Sequence, residues 1–133
     1  MHLLRVSPDN PMLDGIADKE YIGERKGLRL YAIVNDEGIH GVTAFAPSED
    51  NPLVAELQVF INPDSRGKWF SRDLNKEWMA LGFIQYPMLI AVVDDEGLSE
   101  RMCQSLGWKL YCKKDKVSYY SLTKEDFLNG QPV

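Results

Sequence analysis

The hydrophobic period along the middle of the chain switches from strand to helix and back. Residues 53–61 (LVAELQVFI) are mostly apolar and carry no Gly or Pro, which predicts a strand. Asn62, Pro63, Asp64 and Ser65 break it with turn chemistry. From Trp69 onward Phe70, Leu74, Trp78 and Leu81 recur at helical spacing, with Arg72, Asp73, Asn75, Lys76 and Glu77 between them. This helix ends near Gly82, and residues 88–93 (MLIAVV) are apolar on both faces, as in a strand covered on both sides. A strand that feeds a helix through a short loop leaves unpaired N–H groups and the positive end of the helix dipole above that loop, an arrangement that suits an anion. Arg66 and Lys68 either pair with phosphate there or stand as solvated loop charges.

The flanking pattern completes a mixed sheet. Residues 2–6 alternate as a first strand, and the 7–11 segment (SPDNP) ends it. Residues 12–22 hold Met12, Leu13, Ile16 and Ala17 at helical spacing, with Asn10 as cap and Pro11 at the first helical position. Residues 28–34 form a strand, 35–38 a hairpin turn closed by Gly38, and 39–46 the partner strand. Strict alternation of that partner places Ile39, Gly41, Thr43 and Phe45 on one face, with His40, Val42 and Ala44 on the other. Residues 98–106 predict a second helix striped by Leu98, Met102 and Leu106, with Gly107 as its left-handed cap. Residues 109–113 and 117–122 close the domain as a hairpin, and 124–133 form a polar tail with one helical turn.

Composition narrows the function classes. A chain of 133 residues suits one domain, residues 1–133, with one core. Its net charge of −5 argues against a general nucleic-acid binder. No apolar run approaches the roughly 20 residues of a membrane helix. Residues 1–6 are too short for a signal peptide, and no small-residue cleavage site follows, so a cytoplasmic location is expected. Cys103 and Cys112 fit free thiols in a reducing compartment, and His2 and His40 stand too far apart to suggest a metal site.

The order of strand, turn, Arg-Gly-Lys and helix resembles the GCN5-related N-acetyltransferase (GNAT) superfamily. In that family the fourth strand is followed by a loop of the form Arg/Gln-x-x-Gly-x-Gly/Ala that binds the pyrophosphate of coenzyme A. The frame falls on Arg66, Gly67, Lys68, Trp69, Phe70 and Ser71. The first position matches, whereas Trp69 and Ser71 stand where the family carries small residues. A second resemblance lies in Cys103-Gln104-Ser105-Leu106-Gly107-Trp108, similar to the family's Tyr-x-x-Leu-Gly-Phe with Cys103 in place of the Tyr. The two regions span about Ala55 to Trp108. The resemblance implies an α+β fold: a mixed, mostly antiparallel sheet of six or seven strands with helices on both faces. The strands at 55–61 and 88–93 are then parallel neighbours that splay at their C-terminal ends. It also implies acetyl-CoA as cofactor, with Val59, Ile61 and residues 66 to 71 beside it. Because the segment before residue 28 is shorter than the family's usual two-helix excursion, the acceptor pocket is expected to be small or open.

Acetyl transfer needs a neutral amine, a thioester beside it and a proton for the leaving thiolate. Glu56, on the central strand where several family members carry a general base, is the candidate base; otherwise it is a charge on a polar strand face. Cys103 is the candidate proton donor or a buried packing residue, and His40 an alternative base or a packed histidine. Trp69 and Trp78 belong to the core, or Trp69 is an exposed interface anchor. Two functions follow. One is direct transfer of acetyl from acetyl-CoA to an unidentified amine, without a covalent enzyme intermediate. The other is a GNAT-like protein that has lost this chemistry and serves in assembly, as the small GNAT-related accessory proteins of phage virions and heads do. The loop decides between them: Trp69 in the phosphate path predicts weak or absent acetyl-CoA binding. The partner is an amine substrate or another protein, with a homodimer as one option.

Overall fold

Period-two burial along the strands sorts the core into two layers, one on each face of a single sheet. The computed structural model describes residues 1–7, 9–13, 29–65, 67–93 and 100–130. The strands are β1 (His2–Val6), β2 (Arg29–Asn35), β3 (Gly38–Pro47), β4 (Val54–Ile61), β5 (Met88–Val93), β6 (Lys109–Lys114) and β7 (Val117–Thr123). They form a seven-stranded sheet in the order β1-β2-β3-β4-β5-β7-β6. Every neighbouring pair is antiparallel except β4 and β5, as expected from the helix that crosses between them.

That helix, α1 (Arg72–Phe83), starts three residues after Trp69, near which the sequence pattern predicts its beginning. Ser71 is its N-cap, and its hydroxyl accepts the Leu74 N–H at 3.0 Å, which fixes the boundary. Leu74, Trp78, Met79 and Phe83 are buried, and Phe70 and Leu81 pack at the margin. On the same face lie α2 (Glu100–Ser105), through Cys103, Met102 and the following Leu106, and α3 (Lys124–Asn129), through Phe127 stacked on Phe83. Facing them from the sheet are Tyr31, Ile33, Phe45, Ala55, Leu57, Leu89, Ala91 and Tyr120. Gly107 takes φ +86° as the left-handed residue after α2.

The second layer holds Leu30, Ala32, Val42 and Ala44, with Leu13 of a 3-10 turn (Pro11–Leu13) packed on it. The rest of the helix expected over residues 12–22, and Leu98, lie outside the described residues. One expectation changes here. Ile39 packs with Val42 and Ala44, not on the Thr43 and Phe45 face. A bulge is responsible: Ile33 pairs with Gly41 and Val34 with Ile39, so His40 is an extra residue and the alternation slips by one. No helix among the described residues is long and apolar enough to cross a membrane.

Candidate active site

The parallel pairing of β4 with β5 is short. It runs from Val54 opposite Met88 to Leu57 opposite Ala91, while β4 continues to Ile61 and β5 to Val93. The two strands therefore part at their C-terminal ends and open a split in the sheet. Val59 and Ile61 lie on β4 beyond the last paired residue, on the helix-bearing face.

The loop that leaves β4 closes one end of this split. Asn62 N–H donates to the His40 carbonyl at 2.8 Å and holds the loop to β3. His40 itself bridges two elements: its Nδ1 meets Ser65 Oγ and its Nε2 meets Asn35 Oδ1, each at 2.7 Å. Both ring nitrogens are thus engaged in joining the β2–β3 turn to the loop, and the bulge is what aims the ring there. Arg66 lies outside the described residues. Gly67 takes φ +81°, open to glycine at little cost, and a Cβ added there would meet nothing within 4 Å. Lys68 is exposed, and its N–H donates to the Ser65 carbonyl at 3.1 Å. Among the described residues no acceptor takes the N–H groups of Gly67, Trp69 or Phe70. The first amides of α1, at Arg72 and Asp73, have no intrahelical partner by the geometry of a helix start.

Trp69 is 4% exposed, and its indole is turned into the core, edge to face with Trp78 and with Phe70. The ring expected in the phosphate path is therefore part of the packing beneath the loop.

Glu56 lies on the opposite face of the sheet, half-buried, beside Ile90 of β5. It lines a cavity of about 680 Å³ together with Ser48, Glu49, Val92, Tyr111 and Tyr119. Cys103 does not join it. That residue is 1% exposed and points into the helix-side core. Burial, with Glu100 adding to it, pushes its thiol up to about 12. Glu100 is held below the usual carboxylate range by the Ser118 hydroxyl that donates to it, with Lys113 and Tyr120 adding to this. The structure thus brings Glu56 to a cleft and Gly67 to Ser71 to a loop at the mouth of the split, and sets Cys103 apart.

Sequence reading passed over Glu49, Tyr111 and Tyr119. Tyr119 was within reach of period-two reasoning, because Tyr120 is the buried neighbour in the same strand. Tyr111 was not: β6 carries a bulge between Leu110 and Cys112, and an extra residue has no signature in the pattern.

No family model and no curated protein sequence matches the chain. Solved structures do match. A spermidine N-acetyltransferase SpeG variant from Vibrio cholerae superposes with TM-score 0.63 at 17% identity, over 84% of this chain and 74% of that one. The Campylobacter jejuni N-acetyltransferase PseH, in complex with acetyl coenzyme A, gives TM-score 0.58 at 18% identity over 80% and 74%. An acetyltransferase from Thermus thermophilus gives TM-score 0.61 at 18% identity over 80% and 70%. With the split β4–β5 pair, the loop and the strand order all in place, the chain has the GCN5-related N-acetyltransferase fold.

Proposed function

We propose that the protein is an acetyl-CoA-dependent N-acetyltransferase that acts on a small amine by direct transfer. The observation that carries this reading is the inward turn of Trp69. It keeps the indole out of the space above the loop, where among the described residues no acceptor takes the amides of Gly67, Trp69 and Phe70 and where backbone N–H groups and the helix dipole at the start of α1 favour a pyrophosphate. Exposed Lys68 adds positive charge. The acetyl coenzyme A held by PseH supports the same use of this fold.

When bound, acetyl-CoA supplies the acetyl group as a thioester, whose transfer to nitrogen makes a C–N bond, breaks the C–S bond and releases the thiol. The chain's own part is to hold the loop for the phosphates and to prepare the amine. An alkylammonium in the cleft has no lone pair. Glu56 takes one of its protons, directly or through water, and leaves a neutral nitrogen at the β4–β5 seam. Cys103 we assign to packing, since a thiol held near 12 and shut in the core on the other face keeps its proton.

Titration calorimetry with acetyl-CoA and with free CoA tests the reading. Micromolar binding of both is the expected result. Failure of both to bind would leave the fold without its chemistry and favour the assembly-factor reading.

A further inference from the structure

A relay of hydrogen bonds runs from the β2–β3 turn to the loop that follows β4, and its members fix the order of its protons. Asn35 Oδ1 takes the Glu37 N–H at 2.9 Å. A backbone N–H only donates, so the Asn35 atom at that point is the carboxamide oxygen and not the NH2 group. The same oxygen lies 2.7 Å from His40 Nε2. A carboxamide oxygen only accepts, so Nε2 carries the ring proton. In the neutral imidazole Nδ1 is then a bare acceptor, and the Ser65 hydroxyl, 2.7 Å away, donates to it.

Ser65 is where this order reaches the loop. It is 7% exposed, and each of its polar groups is engaged. Its N–H donates to the Asn62 carbonyl at 2.9 Å and its hydroxyl to His40. Its carbonyl accepts the Lys68 N–H at 3.1 Å, which closes a four-residue turn with Gly67 at the third position, φ +81°. Asn62 is held from β3 as well, through its N–H to the His40 carbonyl and its side-chain amide to the Ile39 carbonyl at 3.3 Å. His40 thus grips the loop twice, by its backbone at Asn62 and by its ring at Ser65. The β3 bulge aims that ring. The Lys68 N–H is consumed by the turn, so the amides whose direction this grip sets are those of Gly67, Trp69 and Phe70.

We propose that His40 is the positioning residue of the loop: held by Asn35 as the Nε2–H tautomer, it takes the Ser65 hydroxyl and so sets the loop amides for a pyrophosphate. It does not serve as a base for the acceptor amine, because Ser65 occupies its Nδ1 lone pair. A loop already placed before binding spares the ligand part of the cost of ordering it. This inference rests on the acetyltransferase reading for the identity of the ligand, but not for the relay.

Nitrogen-15 spectra of the full chain at pH 8 test the relay in the wild type. His40 should show a protonated Nε2 and a bare Nδ1, and the reverse tautomer would overturn the proposal. Two substitutions then divide the relay. His40→Asn puts an amide where Nδ1 stands and keeps the Ser65 bond, whereas His40→Gln puts one where Nε2 stands and keeps only the Asn35 bond. The Kd for acetyl-CoA should rise about five- to tenfold in Ser65→Ala and in His40→Gln, the effect of one neutral hydrogen bond. His40→Asn should recover most of that loss. The double variant His40→Gln, Ser65→Ala should bind no more weakly than either single one, because both cut the same bond. Without ligand, amide exchange from Gly67 to Phe70 should quicken in His40→Gln and stay near wild type in His40→Asn. Equal losses in His40→Asn and His40→Gln, or additive losses in the double variant, would overturn the proposal. A chain that binds no CoA but shows this exchange pattern would sink the acetyltransferase reading alone; one that binds CoA equally well in every variant would sink this one alone.

Discussion

The rings of Trp69 and Trp78 meet edge to face, with centroids 5.8 Å apart and planes at 70°. One residue belongs to the loop and the other to the second turn of α1, so this contact ties the candidate phosphate loop to the helix that follows it. It also settles the direction of the bulkiest side chain in the loop, which goes down into the core and not up into the site.

Trp69→Gly, which puts at this position the glycine of the GNAT loop pattern, should therefore not improve acetyl-CoA binding. It removes a ring that is 4% exposed, and loss of a buried Trp costs about 3–5 kcal/mol even when Ala replaces it. Ser71→Gly should cost only a few tenths of a kcal/mol, since glycine is tolerated at an N-cap. Urea denaturation of each variant separates the two. Tighter CoA binding by a folded Trp69→Gly variant would show that the indole does obstruct the site.

Leu74 and Gly82 probe how closely α1 sits on the sheet. Leu74 is 1% exposed, and Leu74→Ala should cost about 2–5 kcal/mol. At Gly82 an added Cβ would stand 2.7 Å from Phe45 Cε1 and 2.8 Å from Leu89 Cδ1. These are packed side chains from β3 and β5. Gly82→Ala should lower stability by about 1–3 kcal/mol through overpacking, against a gain of about 1 kcal/mol in helix propensity. A more stable Gly82→Ala protein would mean that Phe45 and Leu89 move aside freely.

The thiols give a pH-dependent test. Cys112 is exposed and Cys103 buried, and both are free. A thiol reagent at pH 8 should modify one cysteine in the native protein and the second only after unfolding. The folded Cys103 thiol titrates near 12 against an ordinary value of 9.0, so between those values the native state holds a proton that the unfolded state has lost. Stability from this group is complete below about pH 9 and falls as pH rises toward 12, with a limiting slope of about 1.4 kcal/mol per unit. The Cys103→Ala protein should show a flatter alkaline decline by that amount. Rapid native modification of both cysteines would contradict the burial.

Where one physical signal dominated, the sequence was legible. The strand 88–93 was read to its ends because six consecutive apolar residues between turn residues admit few alternatives. The parallel neighbours β4 and β5 followed from the crossover helix. What stayed hidden had two sources. Bulges at His40 and Tyr111 insert one residue and shift the phase, and composition does not announce them. The second source is the choice a large side chain makes between two sides of a loop. Trp69 could stack on a ligand or join Trp78, and only the placement of α1 decides. Glu56 was legible as a candidate only through the resemblance, which puts a general base at that place on the central strand, and its companions Glu49 and Tyr111 come from other strands or loops and meet it only in the fold.

Glu56→Gln tests the role assigned to the cleft most directly. The carboxamide keeps the size of the side chain and its place opposite Ile90, but it cannot take a proton from an ammonium. Glu56 lies on the face of the sheet opposite Val59, Ile61 and the Trp69–Trp78 packing, so acetyl-CoA affinity should stay within about twofold of wild type. Turnover with an amine acceptor, followed by thiol release at pH 7, should fall about 100-fold or more if proton removal is what this residue supplies. Raising the pH should recover part of that loss, because a larger share of the amine then arrives already neutral, and the wild type should gain less from the same change. A variant with wild-type turnover across this range would assign the proton to another acceptor, and a variant that loses CoA binding would place Glu56 in the structure of the split and not in its chemistry.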